Sequence, residues 1–136
     1  MKKLNENFML LETVENLPVN NMYNVVLHDD YLEIKNLLGK FTLKYDQITD
    51  VFYGLQTEIT EKSKSVIGRA VAGGLLFGGA GAVLGAISGL GNKEKKIQKY
   101  MFIISYDENK FITFEDTRKY KGVDVAKKLK ELCNIA

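Results

Sequence analysis

The chain is poor in the residues from which most catalytic and metal centres are built. Its one cysteine, Cys133, rules out an internal disulfide framework and a multi-cysteine metal site. Its one histidine, His28, leaves no His-cluster zinc site and no two-histidine catalytic arrangement within one copy. No catalytic residue, metal ligand or cofactor is therefore expected. Arginine occurs only at Arg69 and Arg118, whereas bidentate reading of phosphate or guanine favours arginine over lysine. With a net charge of only +2, no nucleic-acid partner is expected either. Residues 1–67 are net acidic and residues 92–136 net basic, a mild polarity usual for a solvated surface. The opening MKKLNENFMLLETVENLP has no sustained apolar run and no small-residue cleavage site, so a cytoplasmic location is expected.

Glycine is the exception to this plainness. Of the 12 glycines, 9 lie between Gly68 and Gly91, in GRAVAGGLLFGGAGAVLGAISGLG. No charged residue occurs from Ala70 to Asn92, a run longer than the ~18 residues at which a membrane span must be considered. Most of that run is glycine or alanine, however, so it partitions only weakly into lipid on its own. Gly74 and Gly78 make one GxxxG step, and Gly81, Gly85 and Gly89 make two more. On a helix, Ala70 and these five glycines share one face. Leu76, Val83, Ile87 and Leu90 share the other, with Phe77 nearby. A flat strip of small residues lets another backbone approach closely, so dispersion and weak Cα–H···O contacts accumulate. A flexible linker would be richer in serine and polar residues. The stretch Gly79–Gly85 loosely matches a dinucleotide fingerprint. It lacks both the preceding strand and the acidic residue about 20 positions on.

The remainder reads as short strands and tight turns. A strand near Phe8–Val14 is followed by one at Met22–Leu27, a turn at His28–Asp30, and an alternating strand at Tyr31–Lys35. After Asn36–Gly39, Phe41, Leu43 and Tyr45 alternate with polar residues. The segment Asp46–Thr49 then looks like a corner, with Asp46 as its cap. A strand from Val51 to about Ile59 is expected to turn Val51, Tyr53, Leu55, Thr57 and Ile59 to one side. Tyr100–Tyr106 and Phe111–Phe114 form a hairpin. An amphipathic helix over about Gly122–Asn134 buries Val125, Leu129, Leu132 and Cys133, the last as an inert structural thiol.

Seven short strands closed by one C-terminal helix resemble the bacterial pleckstrin-homology-like (PH-like, GRAM-like) fold. FTLKYDQITDVFYG, residues 41–54, and ITFEDT followed by the lysine-rich helix are the most similar segments. The resemblance implies a mainly β (α+β) domain over residues 1–136, with a seven-stranded barrel or sandwich and a C-terminal amphipathic helix. It also implies a binding or scaffolding module rather than an enzyme. Similar glycine-rich insertions occur in small PH-like proteins of bacteria and their phages. No lipid-phosphate motif of that family can be placed on residues of this chain.

In such a barrel the insertion, residues 66–91, sits between the fifth and sixth strands and must leave and return on one side. A single transmembrane pass is then excluded, because it would separate strands from their partners. A helical hairpin breaking near Gly78-Gly79 has arms of ~16 Å, about half the ~30 Å hydrocarbon core. A continuous helix lying along the barrel is the alternative. Lys62, Lys64 and Arg69 precede the apolar run and Lys93, Lys95, Lys96 and Lys99 follow it, as suits an anionic cytoplasmic membrane face. Other copies of the chain or lipid are expected to cover so apolar a surface. Two functions fit: a self-assembling, membrane-associating PH-like module, or a soluble oligomeric adaptor or inhibitor (a bacterial or phage regulator) that binds another protein. An enzyme would need a carboxylate pair such as Asp29/Asp30 or Glu115/Asp116, and neighbouring acids of this kind are expected to point apart into solvent.

Overall fold

Apolar residues at every second position, interrupted by turn formers, favour strands that bury one face. In the computed structural model, which describes residues 4–55, 67, 70, 99–108 and 110–135, the strands are β1 (Asn5–Thr13), β2 (Asn21–Leu27), β3 (Tyr31–Lys35), β4 (Lys40–Lys44), β5 (Ile48–Leu55), β6 (Tyr100–Tyr106) and β7 (Lys110–Glu115). They form one seven-stranded antiparallel sheet in the order β4-β3-β2-β1-β7-β6-β5. Helix α1 (Val123–Leu132) follows β7 and packs its Val125, Ala126 and Leu129 into the core. Phe8, Leu10, Tyr23, Val25, Leu32, Ile34, Leu43, Phe102, Ile104, Ile112 and Phe114 fill that core from the strands. The rings of Phe8, Phe102 and Phe114 meet at its centre. The mainly β architecture and the closing helix match the expectation from sequence. The helical form proposed for residues 66–91 lies outside the described residues, apart from Ile67 and Ala70.

One local expectation is corrected. The corner is a 3₁₀ turn at Tyr45–Gln47, one residue earlier than expected, and Asp46 does not cap it. Instead the Gln47 side-chain oxygen accepts the Lys44 N–H at 3.0 Å, while the Tyr45 hydroxyl donates to the His28 carbonyl at 2.6 Å. In β5 Val51 and Tyr53 share one side, as expected, and it faces the core; Thr57 and Ile59 lie outside the described residues. Phe52 on the opposite side is also buried. The cause is a second apolar cluster on the outer surface of the sheet.

Candidate association surface

That cluster lies where the insertion begins. Met101 and Ile103 of β6, Phe52 of β5 and Phe111 of β7 point outward from the sheet, away from the main core, and Leu11 of β1 packs beside them. Ile67 and Ala70, both helical, are buried against this surface. A spacing of three places both side chains on one helical face. Asp50 secures the approach: one carboxylate oxygen accepts the Ile67 N–H at 3.2 Å and the other the Val51 N–H at 2.9 Å. A strand residue thus satisfies a donor of the helical residue Ile67, the task usually left to a residue just before a helix. Within the same covered surface, Thr113 is fully buried and its hydroxyl has no hydrogen-bond partner among the described residues. Thr113 pairs with Ile103 of β6; Ser105, two residues farther along β6, meets the Thr49 hydroxyl at 2.8 Å.

The point of departure is fixed with equal care. Leu55, the last residue of β5, pairs directly with Tyr100, the first of β6. Residues 56–99 therefore start and finish on one rung of the ladder. Beside that rung the buried Asp116 carboxylate accepts the Tyr53 hydroxyl, the Gly122 N–H at 2.7 Å and the Arg118 N–H at 3.1 Å. The Tyr53 oxygen in turn accepts the Tyr120 N–H at 3.0 Å, and the Tyr100 ring lies against those of Tyr53 and Tyr120. Burial, and then the adjacent carboxylate, push the Tyr53 hydroxyl well above the ordinary tyrosine range. This knot joins the mouth of the insertion to the first turn of α1. Gly122 is required there, because a Cβ would fall 2.2 Å from the Phe8 ring.

The carboxylate pairs considered for catalysis are accounted for structurally. Glu115 and Asp116 do point apart, but Asp116 is not solvated: it is 1 % exposed and fully engaged. Asp29 and Asp30 are exposed at the rim of an open groove of about 820 Å³, together with Glu33, Lys40, Lys44 and Asp46. Among the described residues no group of three or more His, Cys, Asp or Glu side chains is placed to hold a metal. Cys133 is partly buried and its thiol is pushed up to about 11 by burial, which suppresses the reactive thiolate.

Of the residues singled out for association, Lys99 is described, partly buried immediately before β6. Gly74, Gly78, Gly81, Gly85, Gly89, Leu76, Phe77, Val83, Ile87, Leu90, Lys62, Lys64, Arg69, Lys93, Lys95 and Lys96 lie outside the described residues. Ala70, the first member of the small-residue strip, is buried against the outer face of the chain's own sheet. Sequence reasoning missed Asp50, Ile67 and the outer cluster. A usable signal was present in β6, where Met101 to Ile104 are all apolar and so cannot have one face in water.

A family profile described as "Glycine zipper containing PH domain" matches residues 9–119, a span that runs through the glycine-rich segment. The chain belongs to this family of PH domains. The match ends before α1 begins. No curated protein matches the chain, and no solved structure does. PH domains are as a rule binding modules without catalytic activity, which agrees with the structural employment of Asp116. Among the described residues of this PH domain, no helix is long and apolar enough to cross a membrane.

Proposed function

We propose that this PH domain is a non-enzymatic binding and scaffolding module whose glycine-rich segment, residues 66–91, is its association surface. Gly74, Gly78, Gly81, Gly85 and Gly89 provide the strip along which copies pack, forming a homo-oligomer. Leu76, Phe77, Val83, Ile87 and Leu90 provide the apolar counter-face. The basic flanks Lys62, Lys64, Arg69, Lys93, Lys95, Lys96 and Lys99 suit the cytoplasmic face of an anionic membrane. The observation that carries this reading is the Leu55–Tyr100 pair. It makes the segment an excursion from one rung of the sheet and back, able to engage a partner without disturbing the strands on either side.

A second reading has a specific observation in its favour. Because Ala70 is seated on protein, the segment as a whole can serve protein–protein packing alone, in an oligomeric adaptor or inhibitor of another protein. One experiment on the full chain separates the two. Gly78→Leu with Gly85→Leu is expected to lower the mass measured by sedimentation velocity to that of a monomer. Retention of the wild-type mass would defeat self-association through the strip. Loss of mass with unchanged sedimentation on anionic vesicles would leave the segment a role with protein only.

A further inference from the structure

A strand at the margin of a sheet carries a row of backbone groups that the ladder leaves unused. One such margin is β4, which pairs with β3 and, among the described residues, with no strand on its other side. The hairpin turn fixes which of its groups point outward. The Asn36 N–H bonds the Gly39 carbonyl at 3.0 Å, so the backbone of Asn36 is directed across the hairpin. On the far side of β3 the His28 N–H bonds the Tyr31 carbonyl at 2.9 Å, which directs Tyr31 towards β2 and gives the same phase. Bonded and non-bonded pairs alternate along an antiparallel ladder. Ile34↔Phe41 and Leu32↔Leu43 are therefore the bonded pairs, and Lys35↔Lys40, Glu33↔Thr42 and Tyr31↔Lys44 the non-bonded ones. The N–H and C=O groups of Lys40 and Thr42 thus face off the edge. The N–H of Lys44 is already met, by the Gln47 side-chain oxygen at 3.0 Å.

The side chains leave this edge open. Lys40, Thr42 and Lys44 are exposed, while Phe41 and Leu43 turn to the core. The same three exposed residues line the open groove of about 820 Å³, with Tyr31 and Glu33 of β3 beside them. Asp30 precedes Tyr31 and Asp46 follows Lys44, and Tyr31 pairs with Lys44, so the acids of the groove gather at its end near the 3₁₀ turn.

Charge identifies the occupant. A second copy laid antiparallel on β4 and centred on Thr42 would set Lys40 against Lys44 twice, and like charges directly opposite repel. Glu33 is taken up by His28 at 2.9 Å, Lys35 at 3.7 Å and Lys40 at 4.0 Å. Asp29, Asp30 and Asp46 are exposed, and no basic side chain among the described residues pairs with them. Lys44 is the one cation beside three free carboxylates at that end of the groove. We propose that β4 accepts an extended segment of another protein as an added strand, with a lysine or arginine of that segment placed over Asp29, Asp30 and Asp46. Backbone bonds to Lys40 and Thr42 hold the segment, and the acidic end selects it. The contact is separate from the glycine-rich segment, so its failure would leave the earlier reading standing.

The test titrates short peptides into the isotope-labelled full chain and follows the backbone amides by NMR. The probes are blocked heptapeptides of alternating valine and threonine, with arginine at both ends or glutamate at both ends, so that either strand direction is served. The arginine peptide is expected to shift the Lys40 and Thr42 amide signals, to slow their hydrogen exchange, and to bind about threefold to fivefold more tightly than the glutamate peptide. Asp29→Asn with Asp30→Asn and Asp46→Asn is expected to abolish that preference. N-methylation of alternate peptide residues removes edge bonds without touching the protein. Methylation in one phase is expected to weaken binding by about tenfold, and in the other phase much less, because only alternate residues bond to β4. Thr42→Pro, tolerated where a strand N–H points outward, is expected to weaken binding as the first phase does. No amide shifts, shifts that fall away from β4, equal binding in the two phases, or no preference for arginine would each overturn the proposal.

Discussion

The two halves of the sheet follow different rules. In β3 and β4 the side chains alternate: Leu32, Ile34 and Leu43 are buried, while their neighbours Lys35, Lys40, Thr42 and Lys44 face water. In β6 every residue after Tyr100 is buried, and in β7 four consecutive residues are. Backbone geometry is the same in both halves, so the difference comes from what lies on the outer face. Over β5, β6 and β7 that face is apolar and takes Ile67 and Ala70; over β3 and β4 it stays polar and open. One sheet can be a one-sided wall along half its width and a filled layer along the other half.

The sharpest way to break this comparison is to place a charge on each outer face. Ile103→Asp, on β6, is expected to destabilise the fold by about 4 kcal/mol or more, because the carboxylate is buried unpaired. Thr42→Asp, on β4, is expected to stay within about 0.5 kcal/mol. Urea titration of both variants reads the contrast, and similar midpoints would show that the outer cluster is not a true core. Ile67→Ala comes next, at about 2–4 kcal/mol if Ile67 is a structural cover. A cost typical of an exposed site would mean that Ile67 contributes nothing to the fold.

A smaller effect appears in alkali. Burial pushes Tyr45 up to about 12, and burial with an adjacent carboxylate raises Tyr53 and Tyr106 further. Each holds its proton more tightly folded than unfolded, where the value is about 10. The stability they supply is therefore complete below pH ~10 and falls as pH rises through the folded values. Thermal melts from pH 8 to 11 are expected to show the fall, and Tyr106→Phe is expected to make it shallower. The smallest effect is expected from Thr113→Val, which replaces a buried hydroxyl with no partner among the described residues by a methyl of similar shape. It is expected to be neutral or stabilising by up to about 1 kcal/mol, measured by the same urea titration. A clear loss of stability would mean that the hydroxyl is satisfied after all.

Legibility in the sequence also divides along the two halves. The strands β3 and β4 and the turn between them were readable because period-two alternation is local, and α1 because its apolar stripe is. The two-sided half was only partly legible at β5. There the alternation groups Val51 with Tyr53, but only the third dimension shows what covers Phe52 on the other side. Asp50 was invisible for a related reason. Its partner Ile67 lies 17 residues away, and no spacing rule links a strand carboxylate to a helix that docks across it. Asp116 was noticed only as half of an acidic pair. Its actual work depends on Tyr53, 63 residues earlier in the chain.

The rung shared by Leu55 and Tyr100 has a consequence for how such chains diversify. Lengthening a connection whose ends already meet costs little, about 0.6 kcal/mol for each doubling. The joint behaves as a socket: cargo of very different size can be spliced there while the ladder beneath keeps its register. A folded reporter spliced in beyond Ala70 is expected to leave the scaffold standing, because Ile67 and Ala70 still cover the outer cluster.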